Sequence, residues 1–103
     1  MVNFPENIKA TEKQVQAMED ASQWIEENIP TVFKLSLTDT SIDNGKLVSV
    51  PIVAVFVNCS TFDAAPIRKK VFEYNAEHKG VMLRVVASGQ EDCFTDLAGG
   101  ITI

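Results

Sequence analysis

A run of six apolar residues, Ile52-Val53-Ala54-Val55-Phe56-Val57, constrains the fold more than any other part of this 103-residue chain. A strand with one solvated face would carry polar residues at alternate positions, and this run has none. It therefore predicts a central strand that is covered on both faces. The run belongs to a predicted return strand over 47–58, in which Pro51 predicts a bulge or break because proline cannot donate to the hydrogen-bond ladder.

Two amphipathic segments predict helices. The first helix begins at Thr11, whose hydroxyl can form a capping box with Gln14, and it ends before Pro30. The second helix covers about 64–78, and Gly80 predicts its end by taking a left-handed cap. The expected apolar stripes are Val15, Met18, Ala21, Trp24 and Ile25 on the first helix, and Ile67, Val71 and Tyr74 on the second, with Phe72 beside them.

The remaining segments predict strands and turns. Residues 31–38 alternate, which places Phe33, Leu35 and Leu37 on the core side. Asn44-Gly45 supplies the left-handed positions of a tight turn. A further strand covers 81–87, with Val81, Leu83 and Val85 facing the core, and Ile101–Ile103 predicts a short edge strand.

The element order α-β-β-α-β-(β) predicts an α+β fold in which a mixed sheet has two helices packed on one face. The strand–helix–strand unit over 52–87 is expected to be a parallel crossover. The chain length is typical of one domain. Residues 1–10 are expected to form a flexible N-terminal tail, and residues 11–103 the single domain.

The charge balance limits the classes of partner. Fourteen acidic and nine basic residues give a net charge of −5 and a pI near 4.7, which argues against extended nucleic-acid binding because that requires a basic face. The start of the chain lacks a signal-peptide pattern, and no apolar stretch is long enough to cross a bilayer. With two cysteines only, no disulfide framework is indicated. We expect a small acidic cytoplasmic protein without membrane contact.

The outer face of the first helix is the leading candidate for binding. The segment 11–28 carries five acids and one base. This face could meet a basic protein partner, with Glu19, Asp20, Glu26 and Glu27 as the binding residues. The alternative interpretation of the same pattern is a solvated outer face.

The turn after the central strand is the alternative candidate. Cys59 would lie near a helix N-terminus, which favours a reactive thiolate, and the hydroxyls of Ser60 and Thr61 could help to hold an anion. However, Asp63 opposes both functions, and there is no Cys-x-x-Cys pattern. The other interpretation makes Cys59 a small buried apolar residue and one of Ser60, Thr61 or Asp63 a helix cap.

We therefore predict a non-catalytic binding or adaptor domain that acts through protein–protein contact, without cofactors. The single histidine, His78, and the two distant cysteines provide no metal-ligand spacing. The alternative function is a thiol-dependent enzyme or a small-ligand site at Cys59. Self-association through the edge strand at Ile101–Ile103 is a third possibility.

Overall fold

The computed structural model describes residues 9–89 and 97–102. Two helices, α1 and α2, and six strands, β1 to β6, follow one another in the predicted order. Their bounds are α1 Glu12–Asn28, β1 Val32–Thr38, β2 Ile42–Asp43, β3 Lys46–Leu47, β4 Ile52–Val57, α2 Ala65–Glu77, β5 Met82–Val86 and β6 Leu97–Thr102, with a 3-10 helix at Asp39–Ser41 between β1 and β2.

The main sheet is mixed, and its strand order is β5-β4-β1-β6. Strand β4 pairs parallel with β5 and antiparallel with β1, while β6 pairs antiparallel with β1. The predicted central position of β4, the parallel pairing with β5 and the edge position of β6 are confirmed. Ile103 lies outside the described residues.

A small hairpin, β2–β3, precedes β4 and is separate from the main sheet. Asn44 and Gly45 form its turn with φ values of 52° and 74°, as predicted. The predicted return strand is interrupted, because β3 ends at Leu47 and β4 starts only after Pro51. This confirms the break predicted at the proline.

The hydroxyl of Ser41 stabilises this break. Its Oγ accepts a hydrogen bond from Ile52 N at 2.7 Å and lies 3.2 Å from Ile52 O, while its backbone oxygen accepts from Val48 N at 2.9 Å. The side chain is buried, and Thr38 Oγ1 lies 2.9 Å from it. Ser41 therefore satisfies the polar groups that the end of the strand would otherwise leave unpaired.

Both helices pack on one face of the sheet, so the predicted α+β architecture is confirmed. Met18, Ala21 and Ile25 of α1 share one buried cluster with Val71 and Tyr74 of α2. The sheet contributes Leu35, Leu37, Val53, Val55, Val57, Leu83 and Val85 to it.

The opposite face of the sheet is also buried at its centre. Ala54, Phe56 and Val86 form a second cluster there, and Ser36, which pairs with Ala54 in the neighbouring strand, is fully buried. Burial on both faces explains why β4 has an uninterrupted apolar sequence.

The predicted core position of Phe33 is wrong. The register of β1 against β4 shifts between Val32 and Lys34, so the bulge inserts one extra residue. Val32 packs against the core in its place, while Phe33 is 60% exposed and lies on the opposite face, 6.2 Å from the ring of Phe56.

The two helix ends differ in how well they match the prediction. The capping box of Thr11 and Gln14 is present at the start of α1. The left-handed cap predicted at Gly80 is wrong, since α2 ends with His78 as C-cap and Gly80 is not among the residues with positive φ. Gly80 instead allows a close approach to α1, because a Cβ there would lie 3.3 Å from the Cβ of Ala17.

Residues 1–8 of the predicted tail lie outside the described residues. Lys9 pairs with Lys46 in a single parallel bridge. None of the described helices combines the length and the apolar character that spanning a membrane requires.

Candidate functional site

Seven polar residues form one continuous surface along α1. Successive residues of an α-helix turn by about 100°, so these seven project within an arc of about 120°. Five of them are carboxylic acids and the other two are glutamines; in chain order they are Glu12, Gln16, Glu19, Asp20, Gln23, Glu26 and Glu27. We call this surface the acidic stripe. It contains the four binding residues predicted on α1.

The carboxylates of the acidic stripe are accessible. Asp20, Glu26 and Glu27 are exposed, and Glu19 is half-buried. The buried face of α1, with Met18, Ala21 and Ile25, points away from them into the core.

The two glutamines orient carboxylates without neutralising them. Gln16 Nε2 donates to Asp20 Oδ1 at 2.8 Å, and Gln23 Nε2 donates to Glu27 Oε1 at 3.2 Å. Both pairs have the i,i+4 spacing at which a solvated helix commonly carries a lysine. Sequence reasoning missed Gln16 and Gln23, although their helical spacing was a signal that could have identified them.

The C-terminal end of the acidic stripe is electrostatically unfavourable. Glu26 and Glu27 occupy the last turn of α1, which contains no basic residue, and the negative end of the helix dipole lies there. From α2, Lys70 Nζ lies 3.5 Å from the backbone oxygen of Asn28, the last residue of α1.

An aromatic row connects α1 with α2 beside the acidic stripe. The ring of Tyr74 lies 4.5 Å from that of Trp24 and 4.0 Å from that of His78, on which it stacks. Burial raises the pKa of Tyr74, and the negative charge of Asp20 raises it further. The charge of Asp20 therefore affects the protonation of a side chain in the contact between α1 and α2.

Ser60 and Thr61 lie in a turn between β4 and α2, away from α1 in the chain. The N-cap of α2 is Ala64, which forms no side-chain capping hydrogen bond, so the expected direct cap by Ser60, Thr61 or Asp63 is wrong. Ser60 Oγ accepts from Asp63 N at 3.1 Å and thereby stabilises the preceding turn. Thr61 is exposed.

Cys59 is a free thiol two residues after the end of β4. Its side chain is half-buried and packs against the main core. The extra turn at 60–64 separates it from the first residue of α2. Cys93 lies outside the described residues.

His78 is located at the other end of α2, after thirteen helical residues. Its Nδ1 lies 3.0 Å from the backbone oxygen of Tyr74, and its ring stacks on that side chain. These contacts give His78 a structural role. No group of three or more potential metal-ligating side chains occurs among residues 9–89 and 97–102.

Comparison with models of protein families, with curated proteins and with solved structures finds no match to this chain.

Proposed function

We propose that this domain is a non-catalytic protein-binding module that presents the acidic stripe to a basic surface of a partner. The observation that carries the proposal is the concentration of five carboxylates on one helix face, two of which, Asp20 and Glu27, accept hydrogen bonds from glutamine amides and not from bases. Charge complementarity of this kind steers association and selects partners.

The lack of salt bridges at these carboxylates within the described residues is informative, because basic residues one turn away on α1 could have formed them. Exposed helices commonly place Lys or Arg one turn from Glu or Asp, which stabilises the helix. In the acidic stripe, glutamines and not bases occupy the positions one turn before Asp20 and Glu27. The only base of α1, Lys13, lies outside the arc of the acidic stripe. The carboxylates Asp20, Glu26 and Glu27 make no salt bridge within the described residues.

The position of Glu26 and Glu27 supports the same conclusion. Acidic residues near a helix C-terminus are unfavourable for stability. An arrangement that lowers stability is expected where the charge serves binding. The free thiol of Cys59 is in keeping with a cytoplasmic location, which is part of the proposal.

The experiment is affinity capture from a cell lysate with three forms of the protein, quantified by mass spectrometry. The forms are the wild type, a double variant Glu26→Lys/Glu27→Lys, and a matched control Glu73→Lys/Glu77→Lys that reverses two exposed acids on α2. Both variants change the net charge equally.

We expect partners that the wild type and the α2 control retain equally and that the α1 variant loses. Equal capture by all three forms would contradict the proposal. Equal loss from both variants would show that capture depends on total charge and not on the acidic stripe. Circular dichroism checks that each variant is folded.

A further inference from the structure

Four lysines from four separate segments converge around two adjoining clefts at the N-terminal end of α1. Lys13 and Lys79 line a cleft of about 430 Å³, and Lys9 and Lys46 line a second cleft of about 380 Å³. The two clefts share three lining residues, Thr11, Gln14 and Ser49. We call the pair the lysine cleft.

The backbone around the lysine cleft is held by hydrogen bonds. Lys9 N donates to Gly45 O at 2.7 Å, and Leu47 N donates to Lys9 O at 2.9 Å. Gln14 Nε2 donates to Val48 O at 2.9 Å, which ties α1 to the segment after β3. These hydrogen bonds fix the backbone at Lys9 and on both sides of Lys46.

The charge of this region is opposite to that of the whole chain. The protein has a net charge of −5, yet no carboxylate of the described residues lines either cleft. None of the four lysines forms a salt bridge with a described residue. Like charges brought together repel one another, and a bound anion would remove this repulsion.

We propose that the lysine cleft binds a small organic molecule that carries two or more phosphate groups. Lysine is a common phosphate ligand, and the exposed hydroxyls of Thr11 and Ser49 can donate to phosphate oxygens. The Thr11 hydroxyl oxygen accepts from Gln14 N, which leaves its hydrogen available. The clefts have the size range of small-molecule sites.

An extended nucleic acid fits the surroundings less well than a small phosphate compound. The acidic stripe runs along the same helix, so a long phosphate backbone leaving the cleft along α1 would meet carboxylates. A compact anion within the clefts would contact the lysines and the hydroxyls of Thr11 and Ser49, because no carboxylate of the described residues lines either cleft.

The test is a titration of the full chain with inorganic tripolyphosphate, followed by amide NMR and by calorimetry. We expect saturable binding, with the largest shifts at residues 9, 14, 46, 49 and 80. Orthophosphate should bind more weakly because it has a smaller charge and fewer phosphate oxygens for the lysines to contact. The variant Lys46→Ala/Lys79→Ala should weaken tripolyphosphate binding by at least about tenfold, as expected for lost hydrogen bonds to charged groups.

The control variant, Lys69→Ala/Lys70→Ala, removes the same charge from the exposed face of α2 and should bind tripolyphosphate like the wild type. The proposal is overturned if no saturable shift occurs at millimolar tripolyphosphate, or if both variants lose affinity equally. Tighter binding of a short single-stranded RNA than of tripolyphosphate would overturn the small-molecule assignment. The small-molecule assignment would also be overturned if the wild type formed a dimer that the substitutions Lys46→Ala/Lys79→Ala dissociate. In that case the acidic stripe of a second copy would occupy the lysine cleft.

Discussion

Neutralising the last two carboxylates of the acidic stripe should make the protein more stable. Glu26 and Glu27 lie at the negative end of the α1 dipole without a base in the same turn. Each exposed charge of this kind contributes about 0.3–1 kcal/mol at low ionic strength. The variant Glu26→Gln/Glu27→Gln should therefore raise the free energy of unfolding by about 1 kcal/mol in total, because it removes both unfavourable charges. The glutamine oxygen at position 27 can still accept the hydrogen bond from Gln23.

The same chemical change at the other end of the helix provides the control. Glu12 occupies the first turn of α1, where a negative charge is favourable. Glu12→Gln should lower the free energy of unfolding by a few tenths of a kcal/mol, or up to about 1 kcal/mol. Opposite signs from identical substitutions on one surface exclude a general effect of net charge.

Urea denaturation followed by fluorescence measures both variants. Trp24 is the only tryptophan and lies 4.5 Å from Tyr74 across the α1–α2 contact, so its emission reports the packing of the two helices. The gain should shrink as salt is added, since screening at about 0.15 M reduces interactions beyond about 8 Å. A loss of stability in Glu26→Gln/Glu27→Gln at low salt would refute the reasoning, because the carboxylates would then be structural.

Three further results are expected. Phe56→Ala should lower the free energy of unfolding by about 3–5 kcal/mol because Phe56 is buried at the centre of the sheet. The substitution Lys69→Ala at an exposed position should change it by less than about 0.5 kcal/mol. Comparable denaturation midpoints for the two variants would contradict this prediction. The raised pKa of Tyr74 favours its protonated form in the folded state. The contribution of this shift to the free energy of unfolding is therefore fully present below the usual pKa of 10.0 and is lost as the pH rises through the folded-state pKa. Asp20→Asn should lower the pKa of Tyr74 in an absorbance titration, and an unchanged or higher value would disprove the interaction. Cys59 should react with iodoacetamide more slowly in the native than in the unfolded protein, and the variant Cys59→Ser should retain the captured partners. Fast alkylation of Cys59 in the native protein, together with loss of those partners from Cys59→Ser, would favour the thiol site.

Local signals in the sequence predicted the parts of the fold that local physics determines. The capping box of Thr11 and Gln14, the Asn44-Gly45 turn and the break at Pro51 each depend on a few adjacent residues, and each is confirmed. The apolar run over 52–57 predicted a strand buried on both faces for the same reason.

The errors arise where tertiary contacts decide between two local possibilities. Alternation over 31–38 could not reveal the bulge, because one extra residue changes the side of the sheet on which Phe33 lies. A glycine after a helix serves either as a left-handed cap or as a site of close approach, and only the position of Ala17 shows that Gly80 is the second kind.

The acidic stripe and the lysine cleft also differ in how far the sequence alone could identify them. The acidic stripe lies on one helix, so the helical period was sufficient to find its carboxylates. The lysine cleft combines residues from position 9 to position 79, which only the packing of α1 against the β2–β3 hairpin and the end of α2 brings together. Sequence reasoning could not bring these four lysines together, because most of them are far apart in the chain.

The most direct test of the protein-binding function is the rate at which a captured partner associates with the domain. Surface plasmon resonance at increasing salt should show an association rate constant that falls steeply for the wild type and for Glu73→Lys/Glu77→Lys. It should already be low for Glu26→Lys/Glu27→Lys, with smaller changes in the dissociation rate, because exposed charges act mainly on encounter. An association rate that neither salt nor reversal of the acidic stripe changes would contradict the account, since the carboxylates would then serve only to keep the protein soluble.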